Sequence, residues 1–335
     1  MNRVTLRKTI IACAAMAAAL LLAIVLMSLL GSEPLPVRAS LCALASFGTN
    51  ACGLTQDQFD ILFQIRLPRI LLAAAVGGSL ATAGAGYQAL LRNPLAEPYL
   101  LGISNGAAVG TMIALVFFGA IEWTRPILAF SGALLATLAV YRLARGRAGA
   151  TPERLILAGV IVTTFLSSVI VFVTVLMDAT RIRSFTFWLL GDLSGASKTL
   201  LPVTIVIAIA GALALTLHAR SLNLLMLGER DAFDLGVEVG RVRIVVFLVA
   251  SLLVGSSVAA SGSVGYVGLV VPHLARLSLG SDNRITIPAA ALGGALFVIV
   301  ADTVARTVIA PRELPVGAIT ALIGAPLFIY LLRRA

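Results

Sequence analysis

The strongest constraint in this chain is a series of apolar runs as long as a bilayer is thick. Between Ile10 and Leu30 only Ser28 is polar. A hydrocarbon core about 30 Å thick takes about 20 apolar residues in a helix. Within it every backbone polar group must be satisfied internally, which leaves helices as the natural spanning element. Composition agrees: 59% of residues are apolar and 12% charged, with a mean hydropathy of +1.03. Soluble domains carry about 25% charged residues. A soluble globular enzyme, a disordered chain and a nucleic-acid-binding protein are excluded, despite a pI near 10.5.

The fold class is therefore an all-α polytopic membrane protein, read as one transmembrane domain over residues 1–335. Ten spans are expected: Ile10–Leu30, Ile70–Leu91, Leu100–Ala120, Pro126–Tyr141, Arg154–Met177, Leu200–His218, Val242–Ala260, Val267–Leu279, Ile287–Arg306 and Pro315–Leu332. The first run follows Arg3, Arg7 and Lys8, as a secretory signal does. It exceeds the h-region of such a signal and lacks a clean cleavage site, so it is read as a span. Span 8 is interrupted by Pro272, His273 and Arg276.

Ten spans place both termini on one side. With the N-terminus inside, sixteen of the 25 Lys and Arg face inward against seven of the 15 acids, a net of +9. The outer side is left with nine cations and eight acids. The Lys/Arg bias orients both termini to the cytoplasm.

Small residues crowd span 2 from Gly77 to Gly86 and allow close helix approach. In span 5, Thr163, Ser167 and Thr174 share a face, with Thr164 and Ser168 beside it. They form either a weakly polar pathway wall or hydroxyls bonded to their own helix. No span holds a chain of carboxylates, so an ion-coupled secondary transporter or channel is the weaker alternative. The segment 222–240 between spans 6 and 7 mixes Leu224, Leu227, Phe233 and Leu235 with Glu229, Asp231, Asp234 and Glu238. Gly228 and Gly236 break it into short amphipathic helices. A membrane-surface helix is one reading, but four acids would be repelled by anionic lipid. Docking of a soluble partner fits better. No G-x-x-x-x-G-K-[ST] phosphate loop exists. If ATP drives this protein, another chain hydrolyses it. No nucleophile triad or metal-ligand cluster appears, and His218 and His273 lie far apart.

Stretches spread over nearly the whole chain resemble the FecCD-type permeases, the membrane subunits of vitamin B12, haem and ferric-siderophore importers of the ATP-binding-cassette class. They include RLPR (66–69), GYQALLRNPLAEPYLLGISNGA (86–107), FWLLGDLSGAS (187–197), LNLLMLGERDAFDLGV (222–237), GSVGYVGLVVPHLARLSLGSDNR (262–284) and the ELPVGAIT-x-x-x-GAP run. The resemblance implies a non-catalytic permease of the bacterial inner membrane that forms a homodimer. Two cytoplasmic ATPase subunits would bind ATP and Mg, and one periplasmic substrate-binding protein would dock outside. No cofactor is expected on this chain.

The resemblance also assigns residues. Arg66, Arg69 and Arg306 match outer arginines that pair with glutamates on the binding protein, although Arg306 is also spaced to pair with Asp302 in its own helix. Leu224, Leu227, Gly228, Glu229, Ala232, Leu235 and Gly236 match the ATPase-coupling helices. Asn93 and Leu95 match a cytoplasmic gate, and Asn-Pro is equally a helix end. Phe187 and Trp188 open an outer loop.

Cys42 and Cys52 share the outer loop between spans 1 and 2. In an oxidising compartment, a bond between them closes a loop of about ten residues and stiffens the segment leading to Arg66. Cys13 lies within span 1 and is expected to pack there. Residues 79–102 faintly echo 257–280, five spans later, as inverted transporter repeats do. The cargo expected is an iron chelate (siderophore or haem) or cobalamin, and these motifs do not choose among them.

Overall fold

The computed structural model describes residues 6–118, 123–146, 149–195 and 200–333. Among them are fifteen α-helices: α1 (Leu6–Leu29), α2 (Val37–Ala45), α3 (Gln56–Asp60), α4 (Leu67–Leu90), α5 (Ile103–Phe117), α6 (Thr124–Ala144), α7 (Pro152–Leu176), α8 (Ala179–Leu189), α9 (Leu200–Leu217), α10 (Ala219–Leu227), α11 (Glu229–Asp234), α12 (Val239–Ser261), α13 (Val267–Leu279), α14 (Asn283–Thr307) and α15 (Val316–Leu332). A π-helical turn over Ile61–Arg66 fuses α3 to α4, and a 3₁₀ turn over Pro98–Leu101 leads into α5. The only strands among the described residues form a two-residue antiparallel hairpin, β1 (Arg145–Gly146) with β2 (Gly149–Ala150).

Each expected apolar run coincides with one helix. Seven helical segments are long and apolar enough to cross a bilayer, and α5, α13 and α15 are shorter apolar helices of 15, 13 and 17 residues. Span 3 was expected to reach Ala120, which lies outside the described residues, as do Arg3, Arg147, Ala196, Ser197 and Arg334; α5 itself ends at Phe117. Helices α2, α3 and α8 were not anticipated. They are short, and their apolar residues fall below bilayer length.

The core forms around α4. It packs along α14, with α12, α13 and α9 completing its surround, while α5 and α6 form a second close pair braced by α7. Small residues make this possible. A Cβ at Gly77 would collide with the carbonyl oxygen of Gly294, and one at Gly84 with that of Gly268. Glycine alone permits such backbone approach, and dispersion across the contact replaces the hydrophobic drive that lipid cannot provide. Some buried polar groups are paired: the Tyr87 hydroxyl lies 2.5 Å from Ser251 Oγ and donates to Phe247 O at 3.3 Å, whereas the Ser79 and Thr82 hydroxyls of the same helix have no hydrogen-bond partner among the described residues. By contrast α1, α7 and α9 are largely exposed along their length, as peripheral helices are.

Candidate functional site

One end of the bundle gathers the three arginines singled out from the sequence. The helix order explains why: Arg66 and Arg69 precede and begin α4, Arg306 ends α14, and these two helices pack along their length. Asp302 stands one turn before Arg306 on α14. Its carboxylate is fully buried and accepts from Arg69 Nε at 3.0 and 3.2 Å and from Arg306 Nε at 3.1 Å. Arg69 Nη1 reaches Glu313 at 2.7 Å. Arg66 turns instead to the end of α1, donating to the carbonyls of Ser28 (3.3 Å), Leu29 (3.2 Å) and Glu33. A helix leaves its last carbonyls without partners, and a cation there also complements the helix dipole. Arg306 adds a bond to Leu30 O at 3.3 Å.

The three arginines are thus buried, at 4, 7 and 6% exposure, and tie α1, α4 and α14 together. What the cluster shows to solvent is the half-exposed carboxylate of Glu313 and, beside it, exposed Arg312. Sequence spacing revealed the Asp302–Arg306 pair. It could not reveal Asp302–Arg69, which joins residues 233 positions apart.

On the same end, Cys42 and Cys52 are bonded, with their Cα atoms 5.9 Å apart. The bond spans the loop after α2. Beneath it a small separate core of Leu35, Ala43, Leu54 and Leu62 seats that loop on the turn carrying Arg66.

The opposite end carries the 222–240 segment. Helix α10 packs on α4 and α14; Gly228, at φ 149°, breaks it, and α11 follows. Ala232 is buried as a hinge-side anchor and Leu224 half-buried, whereas Leu227, Phe233 and Leu235 are exposed. Gly236 (φ 83°) ends the turn, in the left-handed region that favours glycine. Glu229 pairs with buried Arg243 of α12 and stands 4.0 Å from Arg92.

A bracket of amides fixes α10 to the first turn of α14. Asn223 Nδ2 donates to Asp282 Oδ1 at 2.7 Å, and Asn223 Oδ1 accepts from the backbone N–H and side chain of Asn283, both at 2.9 Å. Asp282 also accepts from Arg284 N at 3.0 Å and from its guanidinium. The Arg284 side-chain bond, with those from the Arg284 N–H and Asn223, outweighs burial and holds the Asp282 carboxyl down at about 2. The sequence reading missed Asn223 and Asp282; an N-cap Asp followed by Asn and Arg was the available signal.

At this same end Asn93 makes the turn after α4, its Oδ1 accepting from Leu95 N at 2.9 Å, and the Leu95 side chain is exposed. Thr163 and Ser167 meet Asn105 of α5, whose Nδ2 donates to Thr163 O at 3.1 Å and Ser167 Oγ at 2.7 Å. Thr174 bonds back to Ile170 O at 2.7 Å, as Thr164 and Ser168 do within α7. Trp188 is buried and Phe187 exposed. Among the described residues no group of three His, Cys, Asp or Glu is placed to hold a metal.

The chain is 42% identical over 281 residues to the cobalamin import system permease protein BtuC of Halobacterium salinarum, covering 84% of this chain and 75% of that protein. It is 41% identical over 295 residues to the hemin transport system permease protein HmuU of Yersinia pestis, covering 86% and 88%. Among solved structures, a metal-chelate type ABC transporter in an inward-facing conformation superposes with a TM-score of 0.86 at 30% identity, over 96% of this chain and 99% of that one. PsaBC from Streptococcus pneumoniae shares the fold at a TM-score of 0.52 and 16% identity, over 79% and 90%. The model of the FecCD transport family matches residues 18–334, and the chain belongs to that family.

Proposed function

We propose that this chain is the multi-pass permease subunit of an ATP-driven importer for a metal chelate, haem or corrinoid, working as a homodimer with both termini cytoplasmic. The observation that carries the mechanism is the α10–α11 elbow. It exposes Leu227, Phe233 and Leu235 to a soluble partner while the Asn223–Asp282–Asn283 bracket fastens it to α14. Apolar side chains held outside a membrane helix, on a rigid mount, suit the surface of an ATPase subunit. Closing of the ATPase pair, which binds ATP and Mg, would move the elbow and shift the permease between its two exposures. The chain itself contributes no catalysis.

Within this proposal the periplasmic binding protein docks over the Arg66–Arg69–Arg306 cluster, and two copies of the chain offer one such surface to each lobe. The arginines act by shaping that surface, and Glu313 and Arg312 make the contact. Charge pairs there set register and encounter rate more than affinity. Asn93 and Leu95 form the inner gate, and the Asn105–Thr163–Ser167 contact stiffens the wall through which cargo passes. The relatives named for cobalamin and hemin transport support this cargo class.

The test is reconstitution in proteoliposomes with the cognate ATPase and binding protein, following cobalamin and haem uptake. Uptake should require ATP and both partners. Uptake retained by the purified chain without an ATPase, driven by an ion gradient, overturns the proposal.

A further inference from the structure

Helices α6 and α9 both pack on α12 but leave a groove between them. The groove's deep part, about 270 Å³, is apolar, with Ile127 of α6 and Val203 of α9 as walls and Ala259 and Ala260 of α12 as floor. Ile127 and Val203 are 56 and 54% exposed, so the groove opens sideways to the surroundings of the helices, which for α9 means acyl chains. At the end carrying the arginine cluster, the floor residues Ala259 and Ala260 also bound a second cavity of about 580 Å³. That cavity is polar. Arg125 of α6 and Arg183 of α8 line it with the hydroxyls of Thr180 and Ser184. Among the described residues neither arginine has an acidic partner, and Arg183 lies over the Phe187 ring, 5.9 Å from its centroid. The one acid among the described lining residues, Asp192, turns to its own loop and accepts from Ser194 N at 2.7 Å. Trp123, 41% exposed, lines the apolar groove, and interfacial tryptophans mark headgroup depth.

We infer that this continuous pair of cavities is a binding site for a phospholipid with an anionic headgroup, its phosphate between Arg125 and Arg183 and one acyl chain lying between α6 and α9. Basic pockets between membrane helices select such headgroups by charge. The guanidinium fork suits a phosphate better than a neutral headgroup. The lateral opening favours lipid over a soluble anion, because a water-borne ligand has no use for an apolar groove facing hydrocarbon. The inference rests on the membrane embedding and not on the importer reading, so either can fail alone.

The full chain in detergent, loaded with equal amounts of phosphatidylglycerol and phosphatidylethanolamine and examined by native mass spectrometry, tests it. The wild type should retain phosphatidylglycerol by about tenfold over the neutral lipid, a difference of about 1.4 kcal/mol. Arg125→Gln with Arg183→Gln should bring retention to parity, and the Lys pair should largely keep the preference. Ala260→Leu fills the groove with both arginines intact and should lower retention of both lipids. Absence of a preference in the wild type, or its survival in the Gln pair, overturns the inference. Competition by inorganic phosphate as effective as that by phosphatidylglycerol also overturns it, marking a soluble-anion site.

Discussion

Replacing Asp302 by alanine should unfold this protein far more readily than removing Glu313, although both carboxylates bind the same arginine. Asp302 is fully buried between Arg69 and Arg306. Its removal leaves Arg306 out of water without a counter-charge and Arg69 with only the half-exposed Glu313. Breaking a buried ion pair from one side costs about 3–5 kcal/mol, because the abandoned charge cannot be resolvated in place. Glu313 makes a shorter contact, 2.7 Å, yet its side chain is 47% exposed. Pairs open to solvent contribute about 0–1 kcal/mol. Equilibrium unfolding in mixed micelles should therefore separate Asp302→Ala from Glu313→Gln by at least about 2 kcal/mol. A difference below about 1 kcal/mol would falsify the claim that the cluster is internal scaffolding. A companion variant sharpens the point. Arg69→Met, Asp302→Leu and Arg306→Met together remove the three charges of the buried Arg69–Asp302–Arg306 triad and should be close to neutral in stability. If that variant folds yet no longer recruits the binding protein, the arginines serve docking by shaping the surface above them.

Three further outcomes are expected. Gly77→Val should lose more than the about 1–3 kcal/mol usual for overpacking, since the obstacle is the Gly294 carbonyl rather than a mobile side chain; a monodisperse size-exclusion peak at wild-type yield would contradict this. Phe233→Ser should leave the unfolding midpoint within about 0.5 kcal/mol of wild type, while ATPase copurification falls about tenfold or more, because Phe233 is 71% exposed and packs on nothing in this chain's core. The α10–α14 bracket should weaken in acid: the Asp282 carboxyl sits at about 2 when folded against about 3.9 unfolded. Its stabilising contribution is complete above about pH 4 and is lost as the pH falls toward 2. Melting curves across that window should slope for the wild type and flatten for Asp282→Asn.

The membrane helices were legible because the bilayer imposes a length on them. Span 8, Val267–Leu279, has the bounds expected, and span 6 differs by one residue at its end. Span 9 begins four residues earlier than its apolar run, at Asn283, because Asp282 caps the helix and Asn283 is buried on α10. Outside hydrocarbon no such rule applies, and α2, α3 and α8 passed unnoticed. The elbow was readable from Gly228 and Gly236, where polar and apolar residues alternate around breakers. The arginines were readable as a set but not in their environment. Their burial depends on Asp302 and on the end of α1, contacts between residues 37 to 276 positions apart. No local pattern encodes a guanidinium that closes another helix's carbonyls.

The glycine contact between α4 and α14 has a mechanical corollary. Gly294 lies almost midway along α14, eleven residues after Asn283 and twelve before Arg306. The helix is about 37 Å long at 1.5 Å per residue. Its first turn is gripped by the elbow and its last by the arginine cluster. At Gly294 the two backbones touch with no side chain between them, and Arg69 ties the last turns of α14 to α4 as well. Held at its first turn, its centre and its last turn, α14 has no free end: a displacement imposed at the elbow would carry α14 and α4 together, as one body, to the face where the arginines hold α1.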